Sequence, residues 1–247
     1  MNEPESMEVI DRYCKQGNGD HSYNEKSVIP ISYKEEVLDP LVERARLIFR
    51  DPHFVDLAAG KGEAADFFDR FGIRTTRIDI CVNALKLQPE TKQRIKAKAE
   101  QIPLADSCAS IAHIKDALVH IPDQAKLFEE CFRIVEKNGF LVVASKERGL
   151  DPGFYYRRKR RFGRKFKVFD DPEKWLEKIK KAFLNPKIKQ NSISPPYFPC
   201  SEKDTIKTAQ KAGFTLVENT SWTPQKDEKD WYSGQKPRFV LTFQKTA

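Results

Sequence analysis

From His53 to Ser145 the chain alternates between short apolar runs and amphipathic stretches. Phe54-Val55-Asp56-Leu57 is a brief apolar run that stops just before glycines, which predicts a buried strand. Glu63 to Phe71 has helical spacing and is closed by Gly72. Arg74 to Ile80 predicts a second strand and Val82 to Leu87 a short helix. Ile95 to Ala99 and Ala109 to Ile114 predict a third and a fourth strand. Gln124 to Val135 places Leu127, Cys131 and Ile134 on one helical face and is closed by Asn138-Gly139. Phe140-Leu141-Val142-Val143-Ala144 is apolar throughout, as in a strand covered on both faces.

Upstream, Val37, Leu41, Ala45 and Ile48 predict a helix from Glu35 to Phe49, stopped by Asp51-Pro52. Residues 1–35 otherwise carry little pattern. The alternation breaks at Lys146 and resumes near Ser201. There Ser201-Glu202-Lys203-Asp204 reads as a capping box for a helix ending at Gly213. Phe214 to Val217 and Phe239 to Phe243 predict two last strands. Strands alternating with helices at this spacing imply an α/β fold with a parallel sheet and right-handed crossovers. Such sheets bind ligands beyond the carboxyl ends of their strands. The stretch 146–200 is too long for a loop in a compact domain and reads as an insertion. It has a helix of its own, with Asp171 as N-cap, Pro172 at the first turn and Trp175, Ile179 and Phe183 in a stripe. The expected organisation is an N-terminal helical lid region over 1–50 and a main domain over 51–247, with 146–200 as a basic cap insertion.

Composition narrows the class. Hydrophobic residues make up 39% and charged ones 32% of the 247, which suits a soluble globular protein. No apolar run approaches the length of a membrane span. The polar, acidic start MNEPESMEVI lacks the layout of a secretory signal, so a cytoplasmic protein is expected. The five scattered cysteines form no CxxC, so neither a zinc cluster nor a redox pair is expected, and no metal. The net charge is +8, yet Lys146 to Lys189 alone holds 16 Lys/Arg against 6 Asp/Glu. The basic character therefore belongs to the insertion and speaks to its partner, not to the fold.

The candidate chemistry begins at the glycines. Gly60-Lys61-Gly62-Glu63-Ala64-Ala65 fits the dinucleotide fingerprint G-x-G-x-x-A, with Asp79 17 residues past Gly62 as a candidate ribose-binding acid. NAD must therefore be considered. Asp56, just before the glycines, argues against it: a carboxylate there repels a pyrophosphate but favours a ligand carrying ammonium and sulfonium charge.

The segments Ala99-Glu100-Gln101-Ile102-Pro103-Leu104-Ala105-Asp106-Ser107 and Leu118-Val119-His120-Ile121-Pro122-Asp123 complete a set. Together with Asp56-Leu57-Ala58-Ala59-Gly60-Lys61-Gly62, the chain resembles the class I S-adenosylmethionine-dependent methyltransferases. Within them it resembles the widespread small soluble group with D-L-x-x-G-x-G, A-E-x-L-P-F and L-x-H-I-x-D segments. The resemblance covers about residues 53–145 and the final elements from 201. It implies a doubly wound, Rossmann-like, mostly parallel seven-stranded sheet with an antiparallel C-terminal strand. It also implies S-adenosylmethionine as cofactor and a cofactor site made of Asp56, Ala58, Gly60, Gly62, Asp79, Ile80, Ala99 and Glu100. Gly60 and Gly62 would pass under the methionine part, and Asp56 would orient its ammonium group. Asp79 would accept from the ribose hydroxyls, and Ala99 and Glu100 would lie beside the adenine. The chain departs from the pattern at Ala58, at Lys98 and at Cys108-Ala109, where the family has a glycine, often an acid, and Phe-Asp.

On the acceptor side, His120 has a side chain suited to proton transfer near neutrality, and also suits a structural role at a strand-to-helix turn. Asp116, after the fourth strand, is the second candidate base or a helix cap. His113, inside an apolar strand, reads as a core residue. The segment Arg157 to Lys167 has eight basic residues in eleven, interleaved with Phe162 and Phe166 and preceded by Tyr155 and Tyr156. It suits RNA through residues 155–167, a lid over an anionic small substrate, or a solvated surface. The Trp175/Ile179/Phe183 stripe with its lysines suits either an anionic membrane or its own core. Three function classes follow: a methyltransferase for an anionic small molecule, an RNA methyltransferase, and a non-catalytic binding protein with the same fold.

Overall fold

The computed structural model describes residues 29–146, 200–223 and 237–246. Most of the expected insertion, including 155–167 and the helix from Asp171, lies outside the described residues, as do residues 1–28.

The first element, α1, is one continuous helical stretch in three parts: Ile31–Tyr33, a π turn Lys34–Leu38, and Asp39–Ile48. Pro40 explains the wide turn, because its ring has no N–H and crowds the carbonyl four residues back. There follow β1 (His53–Leu57), α2 (Glu63–Asp69), β2 (Arg74–Asp79), α3 (Val82–Lys86), β3 (Arg94–Lys96) and β4 (Ala109–Lys115). After a 3-10 turn at Leu118–His120 come α4 (Gln124–Ile134), β5 (Val135–Ser145), α5 (Glu202–Lys211), β6 (Thr215–Trp222) and β7 (Arg238–Gln244).

Seven strands form one sheet in the order β3-β2-β1-β4-β5-β7-β6. The five from β3 to β5 are parallel, and β7 runs antiparallel to both β5 and β6. This is the doubly wound, Rossmann-like sheet expected from the alternation, with the antiparallel C-terminal strand. The strand order reverses between β1 and β4, where such sheets open a crevice for ligands.

The sheet has a core on each face. One packs Val55, Leu57, Ala112, Ile114, Leu141 and Val143 under α4 and the α5 region. The other packs Phe54, Ile111, Val142 and Ala144 under α1 and α2. Period-2 alternation along each strand assigns the side chains to the two faces.

Several boundaries differ from the pattern reading, among them β6, which runs on to Trp222 past the expected Val217. The third strand is only Arg94–Lys96, a partly exposed edge. Asn138-Gly139 does not close α4, which stops at Ile134. The pair instead forms an irregularity within β5, with Asn138 at φ 65°. A side chain at Gly139 would come within 2.8–2.9 Å of Val135 and of the Glu136 and Ser110 carbonyls, so the chain can pass there only as glycine. The last carbonyls of the helix region are bound instead by Lys245, whose Nζ donates to Phe132 and Val135 oxygens at 2.9 Å. The α5 cap forms as read: Ser201 accepts from the Asp204 N–H at 3.0 Å and donates to its carboxylate at 2.7 Å.

Candidate functional site

The glycine loop lies at the carboxyl end of β1, beside the strand-order reversal. Ala58, Gly60 and Gly62 all have positive φ, at 53°, 54° and 76°, so the backbone curls back on itself before α2 starts. Gly62 is glycine for two reasons. Its φ is left-handed, and a Cβ would sit 2.7 Å from Arg77 Nε. Arg77 is fully buried beneath the loop and binds Asp66 and Asp69 of α2 at 2.6 Å each. Gln88 supports the loop from the other side, donating to the Gly60 carbonyl at 2.7 Å.

Two buried carboxylates flank the loop. Asp79, at the end of β2, accepts from the Gly60 N–H at 2.8 Å and from the Cys81 N–H at 2.7 Å. Burial and, less strongly, the nearby Asp56 charge raise its pKa to about 6, against the pull of those N–H donors. Asp56, at 4% exposure, accepts from His113 Nδ1 at 2.9 Å through Oδ1. Two like charges converging here disfavour an anionic ligand and favour a cationic one.

The remaining residues expected at the cofactor site lie on the same rim. Ile80 follows Asp79 directly, and Ala97 N donates to the Asp79 carbonyl at 3.2 Å, which sets the 97–100 strip beside β2. Ala99 is buried and Glu100 half-buried, with a carboxyl pKa raised by burial. The strip after it is pinned by Arg133, which donates to the Ile102 and Leu104 carbonyls at 2.7 Å, while Glu130 accepts from the Ile102 N–H.

This fold is shared with known methyltransferases. Residues 55–143 match the family described as Methyltransferase domain. They form a class I S-adenosylmethionine-dependent methyltransferase domain. No curated protein matches the chain in sequence. Among solved structures, the methyltransferase domain and its flanks are similar to the Burkholderia thailandensis 1,6-didemethyltoxoflavin-N1-methyltransferase. Identity there is 15%, with 100% of this chain and 92% of that one covered and a TM-score of 0.59. A geranyl diphosphate methyltransferase is 11% identical over 97% and 99% of the two chains, TM-score 0.58. An S-adenosylmethionine-dependent methyltransferase from Methanosarcina mazei is 16% identical over 83% and 97%, TM-score 0.55. At these identities the likeness speaks for the fold. S-adenosylmethionine is the methyl donor of the class.

The two candidate bases of the methyltransferase domain sit differently. His120 closes the 3-10 turn after β4 and is half-buried. Asp116 is locked: Arg238 Nε donates to both its oxygens at 2.8 and 3.0 Å, and Lys115 to Oδ2 at 2.9 Å. Burial works to raise its pKa, but Lys115, Arg238 and Lys146 outweigh burial and hold the carboxyl well below the usual range. Asp116 also takes a left-handed φ of 56°.

Sequence reasoning missed Tyr33 and Arg238. Tyr33 is fully buried and touches His113, and fully buried Arg238 stacks on Trp222 with the guanidinium carbon 4.8 Å from the ring centroid. The one signal was His113 itself. A histidine in a wholly buried strand run must find polar partners. No described helix is long and apolar enough to cross a membrane.

Proposed function

We propose that the chain transfers the methyl group of S-adenosylmethionine to a small anionic acceptor. The observation that carries the donor half is the pair of buried carboxylates, Asp56 and Asp79, flanking a left-handed glycine loop at the strand-order reversal. In this reading Asp79 accepts from the ribose hydroxyls and Asp56 meets the ammonium group with its Oδ2. Gly60 and Gly62 let the backbone pass close, and Ala58 takes the family's first glycine position at a positive φ. Ile80, Ala99 and Glu100 border the adenine. Bound S-adenosylmethionine supplies a methyl group already activated on a sulfonium, so the protein's share is alignment and exclusion of water.

The acceptor half rests on charge. Lys115, Lys146 and Arg238 gather at the ends of β4, β5 and β7 around the single carboxylate of Asp116. The sequence of 146–200 carries a strong positive excess. The solved geranyl diphosphate methyltransferase binds a small anion in the same fold. In this arrangement Asp116 anchors Lys115 and Arg238, and His120 is the group placed to take a proton from an acceptor that enters protonated. Residues 1–50 act as a helical lid and 146–200 as a cap over the acceptor.

Calorimetry with S-adenosylhomocysteine tests the donor half. Asp79→Ala should weaken binding by about 30-fold or more, as expected for losing charge-assisted hydrogen bonds to ligand hydroxyls. His120→Ala should stay within about threefold. Equal losses would show that the ribose contact lies elsewhere, and no heat with the native chain would remove the enzyme reading. The basic segment 155–167 also supports RNA as acceptor. An RNA complex must weaken steeply with salt, so flat binding between low and moderate salt would exclude it.

A further inference from the structure

A buried run of hydrogen bonds connects the glycine-loop carboxylate to the N-terminal helix. Asp56 Oδ1 is 2.9 Å from His113 Nδ1, and His113 Nε2 is 3.0 Å from the Tyr33 hydroxyl. Asp56 is 4% exposed, and His113 and Tyr33 are fully buried. An ionised Asp56 only accepts, so His113 Nδ1 carries a proton. In the neutral ring Nε2 then accepts from the Tyr33 O–H. Burial first, then the Asp116 and Asp56 charges, raise the Tyr33 pKa well above its ordinary value, so its hydroxyl remains a donor.

The far end of this run is built into α1. The edge of Tyr33 meets Trp222 with centroids 5.0 Å apart, and Lys115 Nζ lies 5.4 Å from the centre of the Tyr33 ring. The start of α1 is thus tied to the end of β1, just before the glycine loop, through Tyr33-His113-Asp56. Phe54, Phe68, Ile111 and Val142 belong to the apolar cluster around it. Apolar side chains of the same size would fill it without the desolvation cost of a carboxylate and an imidazole.

We propose that His113 and Tyr33 are positioning residues for Asp56. They commit its Oδ1 to the protein and turn its Oδ2 toward the ligand ammonium group, so that docking of α1 and binding of the amino-acid end of S-adenosylmethionine favour each other. This rests on the reading of Asp56 given above. The run explains why a histidine sits inside a buried strand, and it gives residues near position 33 a share in ligand affinity although they lie outside the glycine-loop motif.

The test compares two ligands that differ at one end. S-adenosylhomocysteine carries the amino-acid group; 5′-methylthioadenosine keeps the adenosine and lacks it. Affinities of both are measured by calorimetry for the native chain, Tyr33→Phe, His113→Asn and His113→Leu, with thermal melts alongside. Tyr33→Phe removes one hydroxyl and should weaken S-adenosylhomocysteine about three- to tenfold, the effect of one buried hydrogen bond. His113→Leu should weaken it by more than about tenfold. His113→Asn, whose amide can stand in for Nδ1–H, should recover most of that loss. Methylthioadenosine binding should change less than about twofold in all three. If the two ligands lose affinity equally, the residues act on the fold as a whole and the proposal fails. It fails equally if neither ligand responds. Should His113→Leu not fold, Tyr33→Phe and His113→Asn decide the matter. A native chain that binds neither ligand would instead overturn the S-adenosylmethionine reading itself.

Discussion

On the face of the sheet under α4 and α5, the strands present Val55, Leu57, Ala112, Ile114, Leu141 and Val143, all apolar and buried, with the buried polar pair His53 and Thr76 at the end away from the glycine loop. On the face under α1 and α2, the same strands present Asp56, Arg77, Asp79 and His113 among Phe54, Ile111 and Val142. Both faces obey the same period-2 rule, and both are buried. The difference lies in what is buried. On the second face Asp56 is bound by His113, Arg77 by Asp66 and Asp69 (its Nε has no partner among the described residues), and Asp79 by the Gly60 and Cys81 N–H groups. Burying charges rarely adds stability even when they are paired. Their gathering on β1, β2 and β4, where the strand order reverses, is therefore the mark of a ligand site, and the first face is the support it is built on.

The sharpest way to break this contrast is to remove one large side chain from each face. Arg77→Ala should cost about 3–4 kcal/mol, near the lower end for a broken buried ion pair because Asp66 is 39% exposed. Arg77→Met should cost less, since it refills the space under the loop. Leu141→Ala on the other face should cost about 3 kcal/mol through the cavity it leaves. Urea denaturation reads the stabilities and calorimetry the ligand. Arg77→Ala should also weaken S-adenosylhomocysteine, because Gly62 rests against that side chain, whereas Leu141→Ala should not. Equal effects on binding would mean that the two faces do not differ in kind.

A smaller effect sharpens the contrast through pH. The folded chain raises the pKa of Asp79 from 3.8 to about 6. The folded state thus holds this proton more tightly than the unfolded chain. The stability gained from it is fully present below about pH 4 and is lost as pH rises through about 6. At pH 8 the buried charge of Asp79 should cost on the order of 2–3 kcal/mol. Asp79→Asn should therefore raise the melting temperature of the ligand-free chain at pH 8 and change it little near pH 4, while weakening S-adenosylhomocysteine. An equal shift at both pH values would remove the electrostatic explanation. Leu141→Ala on the other face should show no such pH dependence.

The smallest effect concerns the helix that covers the apolar face. Ser201→Ala removes the cap of α5 and should cost about 1 kcal/mol in urea denaturation without changing ligand affinity. A large loss of affinity would mean that this cover also shapes the site.

Much of this was legible along the chain because it is local. The Ser201 cap involves residues three apart, and Gly62 announces a tight turn by itself. Asp79 falls at a strand end set by the apolar pattern. Asn138-Gly139 misled for a related reason: the pair does turn the chain, but after a strand has already begun at Val135. Pro40 was silent in the helical pattern because a π turn absorbs it without moving the apolar face.

The sequence by itself determined the order of strands and helices, the place of the glycine loop and the carboxylates at its two ends. It did so through short-range sterics, capping and the periodicity of burial. Only the tertiary structure decided which polar groups meet. His113 lies 57 residues from Asp56 and 80 from Tyr33, and Arg238 lies 122 from Asp116. Those partners are chosen by strand register and by how α1 docks on the sheet. Neither leaves a local trace, because a buried histidine or arginine needs a partner but does not specify where in the chain that partner comes from.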